Sequence, residues 1–174
     1  GLMLARDLSS RHPAAKFVVD VKSTGLFRID PVLEAHGATT EYWKTGHSYI
    51  KRRANEIGAL AGFEKSGHYF LQPPIGRGYD DGLVAARCVL EMLANAPDKT
   101  MADLRRDLPV SYGSPTMSPY CDDEQKYEIV DRIVGDVKAL HADGALFAGR
   151  RITEVNTVNG VRFSLEGGAW ALVR

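Results

Sequence analysis

The sequence predicts an α/β protein in which helices flank a mixed sheet, followed by a partial α+β unit made of one helix on an antiparallel meander. Three observations predict this. Strand-like and helix-like patterns alternate over residues 1–97; three prolines and a glycine crowd the stretch LPVSYGSPTMSPY; and beyond it one long helical stripe precedes nothing but strand-like runs. The expected boundaries are 1–97 for the first domain, 98–118 for a linker and 119–174 for the second, incomplete domain.

The elements follow in order. Leu2, Met3, Leu4 and Leu8 suggest an opening helix, and the β-branched run KFVVDV the first strand. A short helix is expected from Pro31 to His36, with proline at its first turn, and a strand over ATTEYW. Ile50, Ala54, Ile57 and Ala61 recur at helical spacing and predict a helix from Ser48 to Ala61. HYFL reads as a strand, and LVAARCVLEMLANA as a helix with Cys88 in the core and Asp80 and Asp81 as caps, Asp81 the better candidate. In the second half, Asp122 stands where a cap belongs and Gln125 follows three residues on, as in a capping box. Tyr127, Val130, Ile133, Val134, Val137 and Leu140 form the predicted apolar stripe, which Gly144 ends. Asn159-Gly160 and Gly167-Gly168 then mark two turns of a meander that stops inside a strand at Arg174.

Bulk properties exclude several function classes. With 44% hydrophobic and 25% charged residues among 174, the chain can bury one sizeable core or two modest ones. Lysine plus arginine equals aspartate plus glutamate at 22 each, which gives no general attraction to nucleic acid. No apolar run approaches the roughly 20 residues that span a bilayer, and GLMLARDLSS lacks the features of a secretory leader. Cys88 and Cys121 are far apart, which suits reduced thiols and a cytoplasmic location.

Three polar clusters follow or precede the strands of the first half: Asp20 to Thr24, Lys44 to His47, and Glu64 to His68. Loops at strand ends of an open α/β sheet gather along one edge, where ligands bind. Glutamate and serine can grip sugar hydroxyls, lysine and protonated histidine can offset phosphate charge, and glycine lets backbone amides approach. GRGYDDG does not suit a dinucleotide loop, because its third glycine comes one residue late and two aspartates would face the pyrophosphate. The basic run Lys51-Arg52-Arg53 reads as an exposed helix face.

In this order DVKST, KTGHS, EKSGH and GYDDGLVAAR resemble the third domain of the α-D-phosphohexomutases, in the bacterial phosphomannomutase/phosphoglucomutase branch. SPYCDDEQKYEIVDRI and GVRFSLEGGAWALVR resemble the start of the family's fourth domain, a helix on a meander of the TATA-binding-protein type. The resemblance implies a reversible phosphoryl shift between the 1- and 6-hydroxyls of mannose or glucose, through a phosphoserine and a hexose 1,6-bisphosphate. It assigns Glu64 and Ser66 to two adjacent sugar hydroxyls, with Gly67, Gly46, His47 and Thr45 lining the same pocket. His68 and Lys22 would handle protons or stabilise charge, and Arg174 would open a phosphate loop.

The resemblance also has gaps. The family's phosphoserine loop is absent, since SSRHP falls at a helix end in the wrong domain, and Phe63 stands where the family usually has glycine. The magnesium loop is missing too: YDDG, CDDE and HADG lack its alternating carboxylates, so the parent's Mg²⁺ site is expected outside this chain, with no metal held here. The alternatives are a stand-alone sugar-phosphate binding module or the phosphoglucosamine mutase branch. On this reading the 174-residue chain purified by itself shows no mutase turnover, and steady conversion of glucose 1-phosphate free of full-length contaminant would refute it.

Overall fold

The computed structural model describes residues 1–174, which divide into two units, 1–110 and 111–174. In the first, β1 (Lys16–Asp20) is the axis of a four-stranded mixed sheet. It pairs in parallel with β2 (Thr39–Trp43) on one side and β3 (Ala61–Phe63) on the other, and β3 pairs antiparallel with β4 (Tyr69–Leu71). Four of the five residues of β1 are buried, as expected for a strand covered on both faces.

The pleat sorts side chains between the faces. Val18, Gly62 and Phe70 are paired across the sheet and lie under α4 (His47–Ile57), where Val18 and Phe70 join Ile50, Ala54 and Ala59 in one apolar cluster edged by Trp43 and Ile57. Gly62 is required by space: a Cβ there would come within 2.5 Å of Ile50 Cγ2. On the other face Phe63 makes ring contacts with Phe17, Phe27 and Tyr69 at 5.9, 6.1 and 5.4 Å. The start of α1 (Leu2–Arg11) lies against Phe63, and α1 also packs on α3 (Pro31–Ala35) and α5 (Gly82–Ala94).

Several expectations change. The helix expected to reach Ala61 ends at Ile57, because Gly58 turns left-handed (φ 62°, ψ 41°), and Ala61 belongs to β3. β3 is short and apolar on both faces, so it lacks the alternation that would set it apart from a continuing helix. α2 (Leu26–Ile29) was not expected, nor was α6 (Met101–Arg106), which lies within 98–118. α6 is set by a capping box between Thr100 and Asp103, and Arg6 Nη1 donates to the Asp107 carbonyl at 3.0 Å. The first unit therefore continues to Val110.

In the second unit α7 (Lys126–Ala142) covers one face of an antiparallel sheet ordered β5 (Leu146–Phe147), β6 (Arg150–Asn156), β7 (Val161–Leu165), β8 (Trp170–Val173). Ile133, Val134, Val137 and Leu140 pack on Ile152, Val161, Phe163 and Leu165. Tyr127 stays outside this stripe, 72% exposed beneath the Lys126 ammonium. Asp122 does not cap with its side chain. α7 begins four residues later, the Asp122 carbonyl accepts from the Gln125 and Lys126 amides, and its carboxylate accepts from Tyr120. No helix of the chain is long and apolar enough to cross a membrane.

Gly62→Ala is expected to destabilise the first unit by about 1–3 kcal/mol through overpacking against Ile50, read as a lower urea midpoint at unchanged m-value.

Candidate functional site

Because β1, β2 and β3 are parallel, the chain leaves Asp20, Trp43 and Phe63 at the same edge of the sheet. The three polar clusters of the sequence therefore meet on one rim, and two buried acids tie them together. Asp20, fully buried at the end of β1, accepts through Oδ1 from Ser23 Oγ at 2.6 Å and from the Lys65 amide at 3.2 Å. Its Oδ2 accepts from Thr45 Oγ1 at 3.4 Å and lies 3.8 Å from Lys22 Nζ.

Glu64 is the second buried acid. Its Oε1 accepts from the Gly46 amide at 2.6 Å, joining the β3–β4 loop to the β2–α4 loop. Gly46 has φ 127°, a conformation that side chains rarely adopt, and this turns its N–H toward the carboxylate as the chain enters α4. The loop 64–68 closes on itself: the Glu64 amide donates to the His68 carbonyl and the Gly67 amide to the Glu64 carbonyl, each at 3.0 Å. Gly67 occupies a positive φ of 93° at its tip.

Over this buried layer stands an exposed one, made of Ser66, Gly67 and His68. His68 Nδ1 lies 2.8 Å from Ser66 Oγ and 3.3 Å from Glu64 Oε2, so a proton on Nδ1 has two acceptors. On its other side Nε2 is 3.8 Å from Asp80 Oδ2. Lys22 brings a partly exposed ammonium to the same rim, and His47 opens α4 with Nε2 3.3 Å from Ser48 Oγ. Hydroxyl, imidazole and ammonium groups around a buried acidic floor make a surface that can grip a polyhydroxylated anion and exchange a proton with it.

The rim thus gathers Lys22, Thr45, Gly46, Glu64, Ser66, Gly67 and His68, with His47 at the head of the adjoining helix. Arg174 follows β8 in the second unit. Two participants carry no site role in the sequence pattern: Asp20 stands there only as a member of its cluster, and Asp80 only as the second candidate cap beside Asp81. The cap of α5 is Asp81, which accepts from the Leu83 and Val84 amides, whereas Asp80 accepts from the Tyr69 amide beside His68. Arg53 of the basic run pairs with Glu41 and Glu56, which raises its pKa through hydrogen bonds to both carboxylates. Ser9 of SSRHP is buried, donates to the Arg6 carbonyl and contacts His36 Nδ1.

The residues of this rim do not suit a magnesium ion. No three histidine, cysteine, aspartate or glutamate side chains are grouped so as to hold a metal ion, and Asp20 and Glu64 spend oxygens on N–H and O–H donors.

Comparison with known proteins gives this geometry a lineage. The family model for phosphoglucomutase/phosphomannomutase, alpha/beta/alpha domain III, matches residues 1–112. The chain belongs to the phosphoglucomutase/phosphomannomutase family. It is 33% identical, over 99% of its length, to a phosphomannomutase/phosphoglucomutase of Pseudomonas putida, and covers 34% of that protein. A phosphoglucomutase of Neisseria meningitidis is 32% identical over 96% of the chain, which covers 33% of it. A crystal structure of a phosphoglucomutase/phosphomannomutase family protein from Burkholderia thailandensis superposes with a TM-score of 0.67 at 32% identity, covering 93% of this chain and 31% of that one. The chain spans about a third of the length of the curated relatives it matches.

Glu64→Ala leaves the Gly46 amide without its acceptor. Expected are a loss of about 1–3 kcal/mol in urea unfolding and faster hydrogen exchange at Gly46; unchanged exchange there would refute the tie between the two loops.

Proposed function

We propose that this chain is the sugar-recognition part of a phosphohexomutase that interconverts hexose 1-phosphates and hexose 6-phosphates of mannose or glucose through a bisphosphorylated sugar. The observation that carries the reading is the joining of the three clusters by Asp20 and Glu64 at one sheet edge, in a chain of this family. Ser66 and Glu64 hold two neighbouring ring hydroxyls, Glu64 through lone pairs that the Gly46 amide leaves over. Contacts made to two adjacent hydroxyls serve a sugar presented in either orientation, as a 1,6 exchange requires. The amides of Thr45, Gly46 and His47 border the same pocket.

His68 faces the reacting end, with Nδ1 between Ser66 and Glu64, so that Nε2 is the nitrogen placed to take or return a hydroxyl proton. Lys22 supplies positive charge where phosphoryl oxygens gather. Arg174 is a phosphate-binding residue. The phosphoserine donor and the magnesium ion, which would neutralise the transferring phosphoryl group, belong to the remainder of the parent protein. The parent is a cytoplasmic enzyme of carbohydrate metabolism.

The test is steady-state kinetics of the whole parent protein on mannose, glucose and glucosamine phosphates, with Ser66→Ala and Glu64→Gln variants. Glutamine keeps an acceptor for Gly46 while removing the charge, so the fold stays intact. Each variant is expected to lower kcat/KM by roughly 10- to 150-fold, the equivalent of one hydrogen bond involving a charged group. Normal rates in both would remove the sugar-binding role, and preference for the glucosamine phosphates would move the protein to the phosphoglucosamine branch.

A further inference from the structure

We propose that Asp20 is the positioning residue of the rim: its buried carboxylate holds Lys22 and the loops of Thr45 and Lys65 in one arrangement, the arrangement that receives the phosphorylated sugar. This rests on the sugar-phosphate reading above and adds to it a residue that reading does not use. Asp20 is 0% exposed, so it touches no ligand. Its influence runs through its four neighbours.

Those neighbours come from three separate parts of the chain. Ser23 and Lys22 belong to the turn after β1, where the Ser23 amide also donates to the Asp20 carbonyl at 2.9 Å. Thr45 belongs to the loop after β2, and the Lys65 amide to the loop after β3. A carboxylate removed from water needs donors, and here the donors are the three loops themselves. Closing the cup and satisfying the buried acid are therefore one event. The 3.8 Å approach of Lys22 Nζ to Oδ2 adds a charge attraction that draws the ammonium back over the strand end.

Asparagine tests the charge at nearly constant shape. With its carbonyl turned to Ser23 and Lys65, its NH₂ faces the Lys22 ammonium, and the attraction is lost. The measurements are amide hydrogen exchange by NMR on the 174-residue chain, wild type against Asp20→Asn, and titration of both with glucose 6-phosphate. Expected is exchange roughly ten-fold faster at Lys65 and Gly46 with the amides of β1 unchanged, together with roughly ten-fold weaker glucose 6-phosphate binding. A merely structural role would accelerate β1 along with the loops. That result overturns the proposal, as does a folded Asp20→Asn chain with wild-type exchange at Lys65. If Asp20→Asn does not fold, Ser23→Ala removes one of the two Oδ1 donors and leaves the charge; selective acceleration at Lys65 is again expected, and its absence is again fatal. Rim amides of the wild-type chain that do not move with glucose 6-phosphate would count against the sugar reading, while the exchange comparison still decides whether Asp20 holds the loops.

Discussion

Parallel pairing is the constraint on which the first unit depends. A parallel strand cannot return by a tight turn, so each crossing between β1, β2 and β3 needs an intervening segment, and every strand then releases its chain at the same edge. That edge would be three unrelated loops without something to bind them. The buried carboxylates of Asp20 and Glu64 do so by accepting from amides and hydroxyls that the loops would otherwise leave unpaired. Ladder geometry brings the clusters within reach, and the cost of burying an unmet acid fixes how they meet.

The two sheet faces support that rim differently. Under α4 the fit is steric: Gly62 gives up its side chain so that Ile50 can sit on the strand, which brings the helix and the Gly46 turn at its head close to the sheet. On the opposite face the contacts are aromatic, with Phe63 among Phe17, Phe27 and Tyr69. Phe63 is the residue just before Glu64, so its burial anchors one root of the loop 64–68. Tyr69 anchors the other root, with its amide held by Asp80. The large aromatic side chain of Phe63 is accommodated by pointing into the core, and the backbone pairs Phe63 with Tyr69 across the hairpin.

The exposed layer above is built to a different rule. Ser66, Gly67 and His68 have few tertiary ties beyond their own loop, and the loop is closed by its own backbone bonds. Such a layer can change rotamer to suit a ligand while the acids beneath it stay fixed. One short segment thereby combines a buried tie with an exposed surface, with Glu64 joined to the Gly46 amide beneath and Ser66 and His68 outward.

The sequence by itself determined the alternation of strands and helices, the meander after α7, and the three clusters with the residue types that suit a sugar phosphate. These are legible because period, turn residues and local motifs are properties of contiguous stretches: KFVVDV, Asn159-Gly160 and Glu-x-Ser-Gly-His each carry their own signal. β3 is hidden because three buried residues carry no period, and α6, at six residues, is too short to show one although Thr100 and Asp103 spell its cap. Only the tertiary structure decided that Asp20 is the common acceptor of three loops and that Asp80 belongs beside His68 and not on the helix. The reason is physical: a hydrogen bond between Lys65 and Asp20 spans 45 residues, and no local pattern along the chain encodes which strand end will lie beside which.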